Sequence, residues 1–151
     1  MWYDTAKGRE SMDRFQSAYR LRVLFEQKIT AEYYNSFKGR FGRVQVEVLS
    51  YLYEHKHARV QELAEVLNIP KQHASKILSR LEEQGYVSGK PDPDDGRSNL
   101  YGLNEEGLSM MEQHLAVSNH CFAQRLEKLS PEERETMHSA MQTVAALLEK
   151  L

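Results

Sequence analysis

The stretch from Arg59 to Gly107 constrains the fold of this chain most, because two short helices and a hairpin are predicted within it. Apolar residues recur first at a spacing that places them on one side of a short helix, and again after Pro70. Pro70 suits the first turn of the second helix, and Gly85 ends it. The two stripes are Val60, Leu63, Ala64, Leu67 and Ala74, Ile77, Leu78, Leu81.

A β-hairpin is predicted after these helices. Two short strand-like runs, 86–90 and 98–103, flank a turn rich in Pro, Asp and Gly. The predicted fold class is therefore mainly α with a small β-hairpin wing, a winged helix-turn-helix with about six helices. We expect one domain over residues 1–151, with the winged helix-turn-helix at residues 44–103.

Long amphipathic helices are predicted on both sides of this module, at residues 11–36 and 104–151. Their apolar residues recur at helical or heptad spacing, which indicates seams for other helices. The seams either pack together within one chain or form a homodimer, and the little sheet available to cover them favours the homodimer. The predicted interface residues are Leu108, Leu115, Phe122, Met137, Met141, Val144 and Leu148.

The polar face of the second short helix is the predicted DNA-reading surface. It carries hydrogen-bond donors and cations that suit base edges and phosphates. An ordinary solvated face is the alternative interpretation. The candidate major-groove residues are Lys71, Gln72, His73, Ser75, Lys76 and Arg80.

Two motifs after this helix resemble the wing of the multiple-antibiotic-resistance regulator (MarR) family, namely Asp95-Gly96-Arg97 and Leu103-Asn104-Glu105-Glu106-Gly107. Glu62-Leu63-Ala64 and residues 80–87 resemble the helix-turn-helix of that family. The chain departs from the family pattern at Arg59, where a hydroxyl residue usually caps the helix. The first amides of that helix therefore need another acceptor.

The resemblance implies a homodimeric transcription regulator that binds double-stranded DNA sequence-specifically at a palindromic operator. Such regulators are commonly repressors that a small molecule releases from the operator. The resemblance also implies that Asp95 orients Arg97, although Arg97 could instead only neutralise the acidic turn. The candidate wing residues are Lys90, Asp95, Arg97 and Ser98. The candidate ligand-cleft residues are Tyr19, Arg22, Tyr33, Tyr51 and Tyr53.

Charge and composition set the remaining expectations. The net charge of −2 excludes a uniformly basic coat, so DNA affinity must come from local patches. A winged-helix protein-interaction module without DNA binding is therefore the main alternative. A redox-sensing regulator using Cys121, or a metal-sensing one using His114, His120, Cys121 and Glu112, is another. We expect a cytoplasmic protein without membrane span, cofactor, metal or enzymatic activity, because no motif for these is present.

Overall fold

The computed structural model describes residues 5–151, so residues 1–4 of the predicted domain lie outside the described residues. The first helical run has three parts: α1 (Ala6–Phe25), a π-helical turn (Glu26–Thr30) and α2 (Ala31–Ser36). It is longer than the predicted helix of residues 11–36 by five residues at its start. Thr5 explains that start, since its side chain caps α1 by accepting a hydrogen bond from the Gly8 N–H.

Helix α3 (Arg43–His55) begins after a short turn and supplies part of the core. Gly42 occupies the N-cap, and its N–H donates to the Gln45 side chain at 2.9 Å. The buried residues of α3 are Val46, Val48, Leu49 and Leu52. This spacing is the amphipathic pattern of a core helix.

The helix-turn-helix consists of α4 (Val60–Val66) and α5 (Lys71–Glu83). Pro70 is the N-cap of α5 and lies one position before the predicted first turn, while Gly85 ends the segment with φ of +80°. The side chains of α5 that face inwards are Ala74, Ile77, Leu78 and Leu81, all buried. The predicted apolar stripe is therefore the face that holds α5 on the core.

A three-stranded antiparallel sheet stands where the sequence predicted a two-stranded hairpin. Strands β2 (Val87–Pro91) and β3 (Asn99–Leu103) form the hairpin, and β1 (His57–Arg59) pairs with the other edge of β3. His57, at the start of β1, is opposite Gly102. A strand of three residues shows too little alternation to be recognised locally, and its pairing partner is distant in sequence.

Two long helices, α6 (Glu105–Leu126) and α7 (Pro131–Leu148), complete the chain. Asn104 and Ser130 cap them by accepting the N–H groups of Gly107 and Glu133. Counting the α1–α2 run once, the described residues contain six helical stretches, as the sequence predicted. None of these helices is both long enough and apolar enough to cross a membrane.

The hydrophobic core lies in the winged helix-turn-helix and in the two segments that support it, α2 and the start of α6. Phe37 and Phe41 follow α2 into this core, and Met110 and Met111 enter it from α6. Helix α7 contributes no buried residue, and only Gly8 of α1 is buried. The two ends of the described chain therefore stand outside the core.

Candidate nucleic-acid interface

The polar face of α5 is fully available to a partner. All six predicted major-groove residues are exposed: Lys71, Gln72, His73, Ser75, Lys76 and Arg80. They lie opposite the four buried residues of the same helix, so packing fixes the direction in which they project. An α-helix of this kind fits the major groove of B-form DNA.

A groove of about 360 Å³ runs between α5 and the start of α3. Three cations line it, Lys76 and Arg80 from α5 and Arg43 from α3, together with His73. Cationic side chains around an open groove are suited to the phosphate oxygens of a DNA strand that passes along α5.

Sequence reasoning missed Arg43, although it ends a basic run, residues 14–43, that holds seven Lys/Arg against two Glu. Its guanidinium group donates to Glu26 at 2.8 Å and to Glu47 at 3.3 Å, and it lies over the Tyr34 ring. The hydrogen bond from Arg43 is the main cause that lowers the pKa of Glu26, with Arg22 adding to the effect. Arg43 thus connects the π-helical turn to the groove beside α5.

A second arginine, Arg40, fixes the junction between the core and the hairpin. It donates to the Tyr86 hydroxyl and lies over the Tyr86 ring, 5.1 Å from the ring centre. Phe41 packs edge-on against the same ring. These contacts hold the residue that precedes β2 against the turn that precedes α3.

The base of the wing is organised by Asp92, which is not among the four predicted wing residues. Its buried carboxylate accepts hydrogen bonds from Arg59 Nε at 2.5 Å, from the Asp94 N–H at 2.9 Å and from the Ser98 hydroxyl at 3.3 Å. The hydrogen bond from Arg59 is the main cause that lowers the pKa of Asp92 to about 2. A carboxylate with three donors stays ionised at neutral pH.

The wing tip carries the four predicted wing residues. Lys90, Asp95 and Arg97 are exposed and Ser98 is half-buried. The Asp95 carboxylate accepts the backbone N–H of Arg97 at 3.1 Å, so it fixes the main chain at Arg97. Among residues 5–151 no ion pair involves the Arg97 guanidinium, and the acidic residues Asp92 and Asp94 are met by Arg59 instead.

One face of the sheet borders a second groove, of about 480 Å³, that reaches the first turn of α6. Its lining is mixed: Leu100, Leu103 and Leu108 are apolar, while Lys90 and His57 are basic. Lys90 therefore lies beside this groove as well as on the wing. None of the five predicted ligand-cleft residues lines either of the two grooves.

The predicted ligand-cleft residues are spread over several contacts. The Tyr33 hydroxyl lies 2.5 Å from Ser50 Oγ, and the Tyr51 hydroxyl donates to Glu62 at 2.7 Å. Burial raises the pKa of Tyr33, and the hydrogen bond to Glu62 raises the pKa of Tyr51 to about 12. The remaining three, Tyr19, Arg22 and Tyr53, are exposed.

The residues predicted to form a dimer interface are only partly covered by their own chain. Leu108, Val144 and Leu148 are exposed, and Leu115, Phe122, Met137 and Met141 are half-buried. Helix α1 adds further uncovered apolar side chains: Met12, Phe15, Tyr19, Leu21, Leu24 and Phe25. The largest exposed apolar surface of the described residues therefore lies on the terminal helices.

The residues considered for sensing are packed or dispersed. His114 stacks on Phe37, with ring centres 3.8 Å apart, and its Nδ1 lies 2.9 Å from Ser36 Oγ. Cys121 is a half-buried free thiol. No group of three or more His, Cys, Asp or Glu side chains within residues 5–151 is arranged to hold a metal ion.

Comparison with known proteins agrees with this architecture. Residues 41–98 match the model of the MarR family. The uncharacterised helix-turn-helix (HTH)-type transcriptional regulator YfiV of Bacillus subtilis is 29% identical over 106 residues, 70% of this chain and 66% of that relative, just under two thirds. The organic hydroperoxide resistance transcriptional regulator of the same organism is 29% identical over 104 residues, 69% of each chain.

Among solved structures, apo wild-type MarR from E. coli superposes with a TM-score of 0.67 at 23% identity, covering 83% of this chain and 94% of that one. At this identity the likeness concerns the fold. The superposition includes parts of the chain on both sides of the module, since 83% of the chain is far more than residues 41–98.

Proposed function

The chain carries the winged helix-turn-helix of the MarR family, a DNA-binding transcriptional regulator module, and from that premise we propose that it acts as a homodimer on a palindromic double-stranded operator. In this proposal α5 lies in the major groove and the wing tip reaches the adjacent minor groove. The base edges and nearby phosphates are contacted by the first two turns of α5, namely by Lys71, Gln72, His73, Ser75 and Lys76. The flanking backbone is contacted by Arg80.

One observation carries the proposal: every cation on the outer face of α5 is exposed, and Arg97 at the wing tip is exposed too. A protein-interaction surface has no need for this arrangement, because charged residues are depleted at the centre of such interfaces. The neutralising role considered for Arg97 is filled by Arg59, which pairs with Asp92. Arg97 is therefore available to enter a narrow minor groove.

The uncovered apolar faces of α1, α6 and α7 support the homodimer. Phe15 is 65% exposed and Leu148 is 60% exposed, which is unfavourable for helices facing water over their whole length. Pairing residues 11–36 and 104–151 with the same segments of a second chain would cover them. A two-fold dimer places its two recognition helices about 34 Å apart, one turn of DNA, which is why we expect a palindromic operator.

Regulation in this proposal follows from the same geometry. A dimer that occupies an operator overlapping a promoter excludes the polymerase, so we propose repression, in the cytoplasm where such DNA lies. A small molecule would relieve it only by binding better to a dimer whose recognition helices are wrongly spaced. Tyr19, Arg22, Tyr33, Tyr51 and Tyr53 remain the candidate ligand residues. The chain has no catalytic role in this proposal.

The decisive experiment is selection of bound sites from random double-stranded DNA, followed by a salt titration of the selected duplex. We expect a palindromic consensus and an affinity that falls steeply with salt, because each phosphate contact releases counterions. A protein-interaction module would select no consensus. Recovery of random sequences alone would therefore contradict the proposed function.

A further inference from the structure

We propose that Arg59 and Asp92 are positioning residues for DNA binding: they form a clamp across the sheet that sets where the wing tip holds Arg97. We call this pair the wing clamp. The proposal rests on the proposed DNA-binding function and adds two residues to it, neither of which is expected to contact a base.

The wing clamp ties the two outer strands of the sheet together. Arg59 ends β1 and pairs with Leu100, while Asp92 follows Pro91, the last residue of β2. Since β3 lies between these strands, the Arg59 side chain must cross it to reach Asp92. The ion pair joins an arginine side chain that is 44% exposed to a carboxylate that is 0% exposed.

From Asp92 a short path of hydrogen bonds leads to the tip. The Asp92 N–H donates to the Ser98 carbonyl at 3.0 Å, and the Ser98 hydroxyl donates to the Asp92 carboxylate. The Ser98 N–H in turn donates to the Asp95 carbonyl at 2.9 Å, and the Asp95 carboxylate holds the Arg97 N–H. Each link fixes backbone within seven residues, so a shift at Asp92 is passed on to Arg97.

Helix capping does not explain an arginine at position 59. Arg59 is the N-cap of α4, yet an arginine side chain has no acceptor to offer the first amides of a helix. The Glu62 side chain accepts the Arg59 N–H at 3.4 Å, an interaction that any residue other than proline at position 59 could make. What is particular to arginine here is its reach to Asp92 and, at 3.9 Å, towards Asp94.

A double-mutant cycle tests the wing clamp. Arg59→Gln and Arg97→Ala are made singly and together, and binding to a duplex of about 30 base pairs selected by the unmodified protein is measured. We expect Arg59→Gln to weaken binding about fivefold or more when Arg97 is present and less than about twofold when it is absent. Equal losses in both backgrounds would mean that Arg59 contacts DNA itself or only supports folding, and would overturn the proposal, as would no loss at all.

Lys150→Gln is the matched control, because it removes one positive charge outside residues 44–103. Amide hydrogen exchange supplies a measurement that needs no DNA. Arg59→Gln should speed exchange at Asp94 and Ser98 and leave the α5 amides unchanged. Unchanged exchange at the wing would contradict the wing clamp. Failure to select any DNA would instead contradict the proposed function, and the exchange measurement would still test whether Arg59 holds the wing in place.

Discussion

Two arginines on the wing carry the same charge in different surroundings. Arg59 is held by Asp92 at the base, while Arg97 is exposed at the tip, where the Asp95 carboxylate accepts its backbone N–H. Three aspartates close together repel one another unless a cation offsets their charge, and Arg59 does so at Asp92 and Asp94. In the proposed function, Arg59 therefore has a structural role and Arg97 a role in recognising DNA.

Replacing Arg97 by alanine tests this assignment at the tip. We expect Arg97→Ala to weaken binding to the selected duplex by about 1–3 kcal/mol, because a minor-groove contact is lost, and to leave the dimer intact. The measurement is a fluorescence anisotropy titration, with sedimentation as the check on assembly. Arg9→Ala, on α1, is the matched control; affinities equal to each other in the two variants would refute the role of Arg97.

The lowered pKa of Asp92 predicts that the stability of the fold depends on pH. This pKa is lowered to about 2 in the folded protein, below its ordinary value of about 4, so the folded state binds this proton more weakly. Asp92 therefore contributes stability above about pH 4, and this contribution is lost as pH falls towards about 2. Thermal unfolding midpoints across this interval should fall less steeply for Asp92→Asn than for the unmodified protein. Parallel curves would contradict the account.

At the scale of elements, one residue joins the wing to the long helix that leaves it. Asn104 caps α6 by accepting the Gly107 N–H at 2.9 Å, and its amide donates to the Gly85 carbonyl at 2.8 Å. Gly107 is tightly enclosed, because an added Cβ would lie 2.1 Å from the Tyr86 carbonyl oxygen. This cap therefore sets how α6 leaves the module.

Asn104→Ala should lower the free energy of unfolding by about 1–2 kcal/mol, since the α6 cap and the bond to Gly85 are both lost. Chemical denaturation monitored by circular dichroism measures the change. Ser109→Ala, an exposed substitution further along α6, should cost about 0.5 kcal/mol or less. If the two variants were equally stable, the cap would not have the role given to it.

Sequence patterns predicted the elements that depend on local chemistry. The stripe on α5 and Gly85 at its end both follow from residues close in the chain, and both are present. Strand β1 and the ion pair between Arg59 and Asp92 were missed, because each depends on partners at least 33 residues away in the chain. The π-helical turn was missed as well, since its sequence has no proline or glycine to mark it.

The residues of the candidate nucleic-acid interface could be predicted from the sequence only in part. Periodicity indicated which side chains of α5 face outwards, and all of them are exposed. The same reasoning could not find Arg43, which reaches the groove beside α5 only because α3 is packed there. The residues predicted to hold a ligand and those predicted to form the dimer stay predictions.

On the scale of the whole molecule, the proposed function divides DNA contact and dimerisation between different parts of the chain. Most of the buried core and the exposed cations of α5 belong to the winged helix-turn-helix, whereas most of the exposed large apolar side chains belong to α1, α6 and α7. Charge follows a different division: the basic residues 14–43, with seven Lys/Arg against two Glu, lie mostly on α1 and α2, and residues 104–151 carry four Lys/Arg against eight Glu. In the proposed dimer, the acidic helices lie away from DNA.

Two substitutions on α7 test the proposed dimer. Leu148→Asp places a charge within the predicted seam and should shift the protein towards monomer in sedimentation velocity, because the charge would be buried on pairing. Ala146→Asp adds the same charge on the opposite side of the helix and should leave the assembly unchanged. A dimer equally stable in both variants would exclude this seam as the interface.

The central claim is that two recognition helices at a fixed separation read one palindrome. It is tested most directly by measuring affinity for the selected duplex before and after insertion of five base pairs between its half-sites. Half a turn of added DNA moves one half-site to the far side of the duplex, so only one subunit can read its target. We predict a loss of about 100-fold or more, towards non-specific affinity. Undiminished affinity for the lengthened duplex would contradict the account.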